Sequence, residues 1–286
     1  MKILGVSLGT KNGNNDTMCR VALEAAKEKG AEIEFIHLLD WDIQYCSGCV
    51  ACSRGLVMGK GMICSRQDDF KAFYEKVVEA DGVLFVDPIF ESGATGLYHS
   101  ITDRMGPGHD TGMMKMLDGK LKEAGKEGLN PRYFRQKALS FVGIGGSDWA
   151  VRCETDHAMF ALSPGWKVVN NEFFSWCKDV IMQDDKVERM KEIGRNLADA
   201  AQQIIDEDMQ IEGSENTSLW KGKEGACPHC QGNNFYIYPG TTHCVCELCG
   251  LEGTLEIVDG AFKFKYDPAT EHHAHDILSG KFLHGQ

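Results

Sequence analysis

The chain has 286 residues, 43% of them hydrophobic and 25% charged, a composition far from that of a disordered chain and rich enough to bury a sizeable core. At roughly 150 residues per domain, the length predicts one large domain plus something smaller. The 42 acidic residues against 30 basic ones leave a net charge of -12, with no sustained basic run to offset it, so nucleic acid is excluded as a partner.

The opening MKILGVSLGT is too short for a signal peptide and lacks a small-residue cleavage site. No stretch approaches the ~20 apolar residues that span a bilayer. A cytoplasmic location without membrane contact is the expectation. In that compartment the 12 cysteines point to metal or redox chemistry rather than to disulfides. Four lie between 46 and 64, five between 227 and 249, and only Cys19, Cys153 and Cys177 are scattered.

In chain order, Lys2 to Val6 reads as a buried strand. A helix follows with Met18, Val21, Ala22, Ala25 and Ala26 on one face and Gly30 as its stop. Glu32 to Ile36 is a second strand. Asp68 or Asp69 can cap a helix that buries Phe70, Phe73, Tyr74, Val77 and Val78. Gly82 to Val86, Leu139 to Gly143 and a run beginning at Lys167 supply three more strands. A long acidic helix turns Val187, Met190, Ile193, Leu197, Ala201 and Ile204 inward. Strands separated by helices imply right-handed crossovers and a parallel sheet covered on both faces. The fold class is therefore α/β, a doubly wound five-stranded parallel sheet of flavodoxin-like type over 1–210. The weakly patterned segment 107–136 reads as an insertion covering the active site or a subunit contact.

A Gly-, Ser- and Glu-rich stretch, 211–225, reads as a linker. Beyond it, 226–266 is Cys-rich and aromatic, with alternating runs at 235–238, 254–258 and 262–265 and a hairpin signal at Asp259-Gly260. The tail 267–286 carries four histidines without periodicity.

Between the first strand and first helix, Ser7 to Thr17 is dense in small hydroxyl and amide side chains and ends at a helix N-terminus. Such a loop suits a phosphate monoester, or it is simply a polar turn with a helix cap. It matches neither the dinucleotide fingerprint nor a P-loop. The opening MKILGVS with KNGNN, the Cys46-Ser47-Gly48-Cys49-Val50-Ala51-Cys52 run, Asp68-Asp69 and Asp87-Pro88-Ile89-Phe90 occur in one order. In that order they resemble the NADPH-dependent FMN reductase and iron-sulfur flavoprotein branch of the flavodoxin-like superfamily, over about 1–210. The resemblance implies FMN as cofactor, with its phosphate held by Ser7, Thr10, Lys11, Asn15, Asp16 and Thr17. This chain has Gly9-Thr10-Lys11 where the family usually has Ser-Pro-Arg, which puts Thr10 and Lys11 behind Ser7, Asn15 and Thr17. Asp16 would repel a phosphate unless turned away.

The resemblance further implies that Pro88, Ile89, Phe90, Glu91, Ser92 and Gly93 wrap the flavin ring. Gly145, Gly146 and Ser147, after the fourth strand, would line the ring or its ribityl chain. Both segments leave the C-terminal ends of strands, where doubly wound folds bind ligands.

Cys46, Cys49, Cys52 and Cys64 are spaced x2, x2 and x11, and four such thiolates suit a [4Fe-4S] cluster. The resemblance places a cluster in this loop, although the last gap is longer than is usual there. The alternatives are redox-inert or substrate-lining thiols, or zinc. Gly48, Gly55, Gly59 and Gly61 let the loop wrap such a group. Cys227-x2-Cys230 and Cys246-x2-Cys249 are two knuckles separated by fifteen residues, which reads as a structural Zn2+ ribbon; rubredoxin-like iron is the alternative.

The expected function is an FMN-dependent NAD(P)H oxidoreductase. Electrons would come from NAD(P)H or a reduced ferredoxin-type carrier and reach a small organic acceptor, directly or through the cluster. The competing expectations are pure electron transfer with ferredoxin, or a non-enzymatic redox sensor or docking module. No catalytic residue stands out, since nothing positions His99 or His109 as a proton donor. The resemblance also implies a homodimer or homotetramer with flavin near the interface.

Overall fold

The structure is a computed structural model and describes residues 1–58 and 64–284. Gly59 and Gly61 of the cysteine-rich loop lie outside the described residues. The elements run β1 (Lys2–Ser7), α1 (Asn14–Glu28), β2 (Glu32–His37), α2 (Ala51–Val57), α3 (Phe70–Glu79), β3 (Gly82–Pro88), α4 (Gly96–Met105) and α5 (Thr111–Glu123). They continue with β4 (Ala138–Ile144), α6 (Cys153–Leu162), β5 (Lys167–Phe174), α7 (Asp184–Asp206), β6 (Phe235–Ile237), β7 (His243–Cys246), β8 (Glu252–Val258), β9 (Ala261–Tyr266) and α8 (Leu278–His284).

The first five strands form one parallel sheet in the order β2-β1-β3-β4-β5. This is the flavodoxin-like arrangement, and it reverses direction between β1 and β3. Their apolar runs are continuous because helices cover both faces. Ile3, Leu84 and Val142 pack against α1 and α7 on one side. Leu4, Phe85 and Phe141 meet α3, α4 and α6 on the other. The period of two along each strand sends neighbouring residues to opposite layers.

The predicted insertion contains α5, whose Met114 and Leu117 pack against Leu56 of α2, while α8 lies alongside α5. The 211–225 segment holds neither helix nor strand, yet it is docked: Leu219 is buried in the main core, and the Lys221 N–H donates to the Val169 carbonyl of β5 at 2.7 Å. The second sheet is antiparallel, in the order β6-β7-β8-β9. Its β8–β9 turn falls at Asp259-Gly260, both left-handed at φ 53° and 80°, as a two-residue hairpin requires. No described helix is long and apolar enough to cross a membrane.

Candidate functional site

The loops that follow β1 and β3 leave side by side at the point where strand order reverses. In the first, Asp16 is buried and turned inward. It accepts hydrogen bonds from the Ser7 hydroxyl (2.5 Å) and the Asn12 N–H (2.7 Å), and lies 2.9 Å from His37 Nδ1. Burial alone would raise the Asp16 carboxyl. The hydrogen bonds from Ser7, Asn12 and His37 outweigh it and hold the group below the ordinary aspartate range. Ser7 and Asp16 therefore brace the loop from beneath.

Lys11 is turned outward to Asp40 at 2.6 Å, and the Thr17 hydroxyl donates back to the Gly13 carbonyl. Thr10 stays exposed. Asn15 is the exception among the buried polar groups of this loop: its side-chain Nδ2 is buried and has no hydrogen-bond partner. The loop backbone at Gly9 lies so close over it that a Cβ there would fall 2.4 Å from Asn15 Oδ1. The N–H groups of Asn14, Asn15 and Asp16 open α1 with no carbonyl one turn back to receive them. The donors at this junction thus outnumber the acceptors, which suits an anion.

The second loop is a rigid turn. Phe90 and Gly93 exchange backbone hydrogen bonds of 3.2 and 3.0 Å, and between them Glu91 and Ser92 are left-handed at φ 47° and 65°. Two consecutive non-glycine residues in that region persist only when their surroundings over-determine them. Here the fixing comes from three sides. Asp87 is fully buried at the end of β3 and accepts from Thr95 N–H (2.9 Å) and Thr95 Oγ1 (2.7 Å). Asp156 accepts from the Ala94 N–H at 3.0 Å, and the Arg152 N–H donates to the Ser92 carbonyl at 3.0 Å. Gly93 is needed because a Cβ there would meet Asp156 at 2.2 Å. Pro88 ends β3, and the Ile89 N–H reaches the Ile144 carbonyl of β4.

After β4, the Gly145 backbone is held on both sides by β5-end residues, donating to Phe174 O and accepting from Cys177 N–H. Gly146 faces open space, and Ser147 Oγ accepts from the Trp149 N–H. Phe90, Trp149 and Trp176, on the loops that follow β3, β4 and β5, have 65%, 59% and 63% of their surface exposed. Large flat side chains left to solvent on loops at a sheet's ligand-binding edge are candidates for contact with a flat partner.

His157, on α6, was not singled out by the sequence. It is fully buried, 3.3 Å from Asp87 and 3.6 Å from the Cys153 sulfur. Burial alone would discharge it, but the Cys153 sulfur and the Asp87 carboxylate outweigh that and raise it to about 10. The signal available was the Cys153-x3-His157 spacing, which puts both on one helix face. His109 is different. It lies buried between the Tyr74 hydroxyl and the Tyr133 carbonyl, and burial lowers it to about 3, so it stays neutral and structural. His99 is partly exposed, 3.8 Å from Asp156.

The two cysteine groups differ in geometry. Cys227, Cys230, Cys246 and Cys249 bring their four sulfurs within 4.8 Å of one another, with pairs at 3.7 and 3.5 Å. Four sulfurs at ~2.3 Å from one ion stand at such separations, so the donor set fits one tetrahedral metal ion. Cys46, Cys49, Cys52 and Cys64 line one cavity together with Arg66 and Arg104. Among the described residues they form no such single-ion group. Arg104, paired to the buried Asp68, also donates to Cys64 Sγ at 3.2 Å. Hydrogen bonds from Ser65 and then from the Ala51 N–H and Ser47 lower the exposed Cys49 thiol to about 7. Its neighbour Val50 is left-handed at φ 50°, an uncommon state for a β-branched residue.

The family profile of NADPH-dependent FMN reductase matches residues 1–179. The chain belongs to the NADPH-dependent FMN reductase family. Within and around it, the chain is similar over its whole length to a solved flavone reductase, 41% identical with a TM-score of 0.85, covering 100% of this chain and 88% of that one. Flavone synthase cfoJ of Aspergillus candidus is 27% identical over 286 aligned positions, 95% of this chain and 83% of that one. An iron-sulfur flavoprotein of Archaeoglobus fulgidus is 29% identical over 150 residues, 52% of this chain and 64% of its own length. The chain thus spans under two thirds of that relative.

Proposed function

We propose that this FMN reductase family member takes electrons from NAD(P)H and delivers them to a flavone-class acceptor, a flat aromatic molecule whose carbon–carbon double bond is conjugated to a ketone. The observation that carries the reading is the pairing, at one switch point, of a donor-rich loop holding an unpartnered buried Asn15 amide with a fixed turn at 88–95. The full-length likeness to a flavone reductase supports the acceptor class.

FMN, when bound, links the two-electron chemistry of nicotinamide to one- or two-electron delivery. The chain's own residues bind and orient it. Asn15 Nδ2, the opening N–H groups of α1 and the Thr10 hydroxyl hold the phosphate, while Ser7 and Asp16 hold the loop. Glu91 and Ser92 present backbone N–H groups toward the ring, kept in place by Asp87 and Asp156. Gly146 and Ser147 leave room along the other side. Phe90, Trp149 and Trp176 receive the acceptor and exclude water from it. Zn2+ in the Cys227–Cys249 site serves structure. The apolar residues these loops leave exposed, Val151, Ile181 and Met182 among them, extend the proposal to a homodimer or homotetramer.

The anaerobic test mixes yellow protein with NADPH or NADH and then with flavone. Bleaching by a nicotinamide, followed by flavone-dependent recovery of colour, supports the reading. Bleaching by reduced ferredoxin alone would instead support a second reading, electron transfer through a [4Fe-4S] cluster held by Cys46, Cys49, Cys52 and Cys64. That reading rests on the shared cavity of these four thiols and on Arg104, which would offset thiolate charge there. Iron and sulfide counts on anaerobic protein decide whether the cluster is present.

A further inference from the structure

Helix α6 has two working faces. One holds the turn at 88–95, through the Arg152 N–H on Ser92 O, Asp156 on the Ala94 N–H, and His157 on Asp87. The other face is held by the metal ribbon. Asn234 Nδ2 donates to the Val151 carbonyl at 3.0 Å just before α6 begins, and Asn233 Nδ2 donates to Glu154 Oε2 at 3.2 Å in its first turn. Ala158, next to His157, is buried inside the ribbon's own core beside the four metal-site cysteines.

These two asparagines sit where the first knuckle puts them. Asn233 Oδ1 accepts from the Ala226 N–H, the Cys227 N–H bonds to Gly232 O, and the Asn234 carbonyl accepts from Glu247 N–H beside the second knuckle. The tail completes the clamp. The His275 N–H donates to Cys249 O at 2.8 Å, and Lys281 Nζ reaches the carbonyl of Leu162, the last residue of α6. Many small four-cysteine domains fold only with their metal, which would give this clamp two states, closed with metal and released without it.

We propose that metal loading of the ribbon sets the conformation of the 88–95 turn through α6 and thereby governs how tightly the flavin site binds. The proposal rests on the FMN reading for its ligand, but its mechanical half does not. Glu91 and Ser92 occupy strained backbone states that need external support. Two of the three contacts that fix the turn, from Arg152 and Asp156, stand at the start of a helix whose opposite face belongs to the metal domain. Release of the clamp lets the turn relax, and coupling between the two sites follows.

The experiment compares the full chain loaded with Zn2+, the same chain after chelation, and Asn233→Ala/Asn234→Ala, which keeps all four thiols. Amide exchange across 88–95 is read without flavin, and FMN affinity is read separately by fluorescence quenching. Chelation is expected to speed exchange in the turn and to weaken FMN by about tenfold. The asparagine variant should retain one metal per chain and shift both readouts in the same direction by less. Unchanged exchange across 88–95 after metal loss, with 226–251 exchanging freely, would overturn the coupling. A turn that loosens on chelation in a protein that never binds FMN would uphold the coupling and remove the flavin reading.

Discussion

Asn15 and Asp16 are neighbours with opposite tasks. Asp16 has three partners and faces inward, so Asp16→Ala should destabilise the protein by about 2 kcal/mol, the cost of unpairing buried donors around a removed charge. Thermal unfolding measures it. Because its carboxyl is held below the ordinary value, the stability it lends is complete above about pH 4 and is lost as the pH falls through the folded-state value. Asn15 Nδ2 has no partner, and Asn15→Ala should leave the flavin-free melting temperature nearly unchanged. FMN binding by the same variant should weaken about tenfold or more, the worth of a hydrogen bond to a charged phosphate. Equal losses of stability and affinity would make Asn15 merely structural. Cys49, exposed and lowered to about 7, should be alkylated ahead of the fully buried Cys153 in metal-free protein at neutral pH, which peptide mapping reads.

At the scale of elements, α6 carries the sharpest expectation. His157 is raised to about 10, so its pairing with Asp87 is complete below about pH 6.5 and is lost as the pH climbs toward 10. A pH series of unfolding free energies should show stability falling over that interval, and His157→Gln should flatten the fall. Strands β1, β3 and β4 were legible because burial on both faces leaves continuous apolar runs. The ribbon was legible because four thiolates at fixed spacing have few other uses. Helix α6 was not. It is packed on both sides, Phe160 into the sheet core and Ala158 into the ribbon, so no single apolar stripe marks it. The turn at Glu91-Ser92 was equally hidden, since its left-handed backbone is imposed by Asp87, Asp156 and α6 from distant sequence. The role of Lys11 depends on Asp40, a partner outside the loop, and the inward turn of Asp16 onto Ser7 also draws on His37 of β2, which the local loop sequence does not choose.

For the whole molecule, the parallel sheet supplies a switch point, and the ribbon with its tail clamps the helix that supports one of the two loops there. The 211–225 segment, polar enough to read as a free linker, is docked through Leu219 and Lys221 and so keeps the ribbon against the domain. The central claim is that a flavin mononucleotide is anchored by its phosphate at the β1–α1 junction. Calorimetric titration of FMN and of riboflavin into flavin-stripped, metal-loaded protein tests it most directly. One FMN should bind per chain, with riboflavin binding at least about a hundredfold more weakly because it lacks the charged anchor. Equal affinity for the two, or no heat from either, would contradict it.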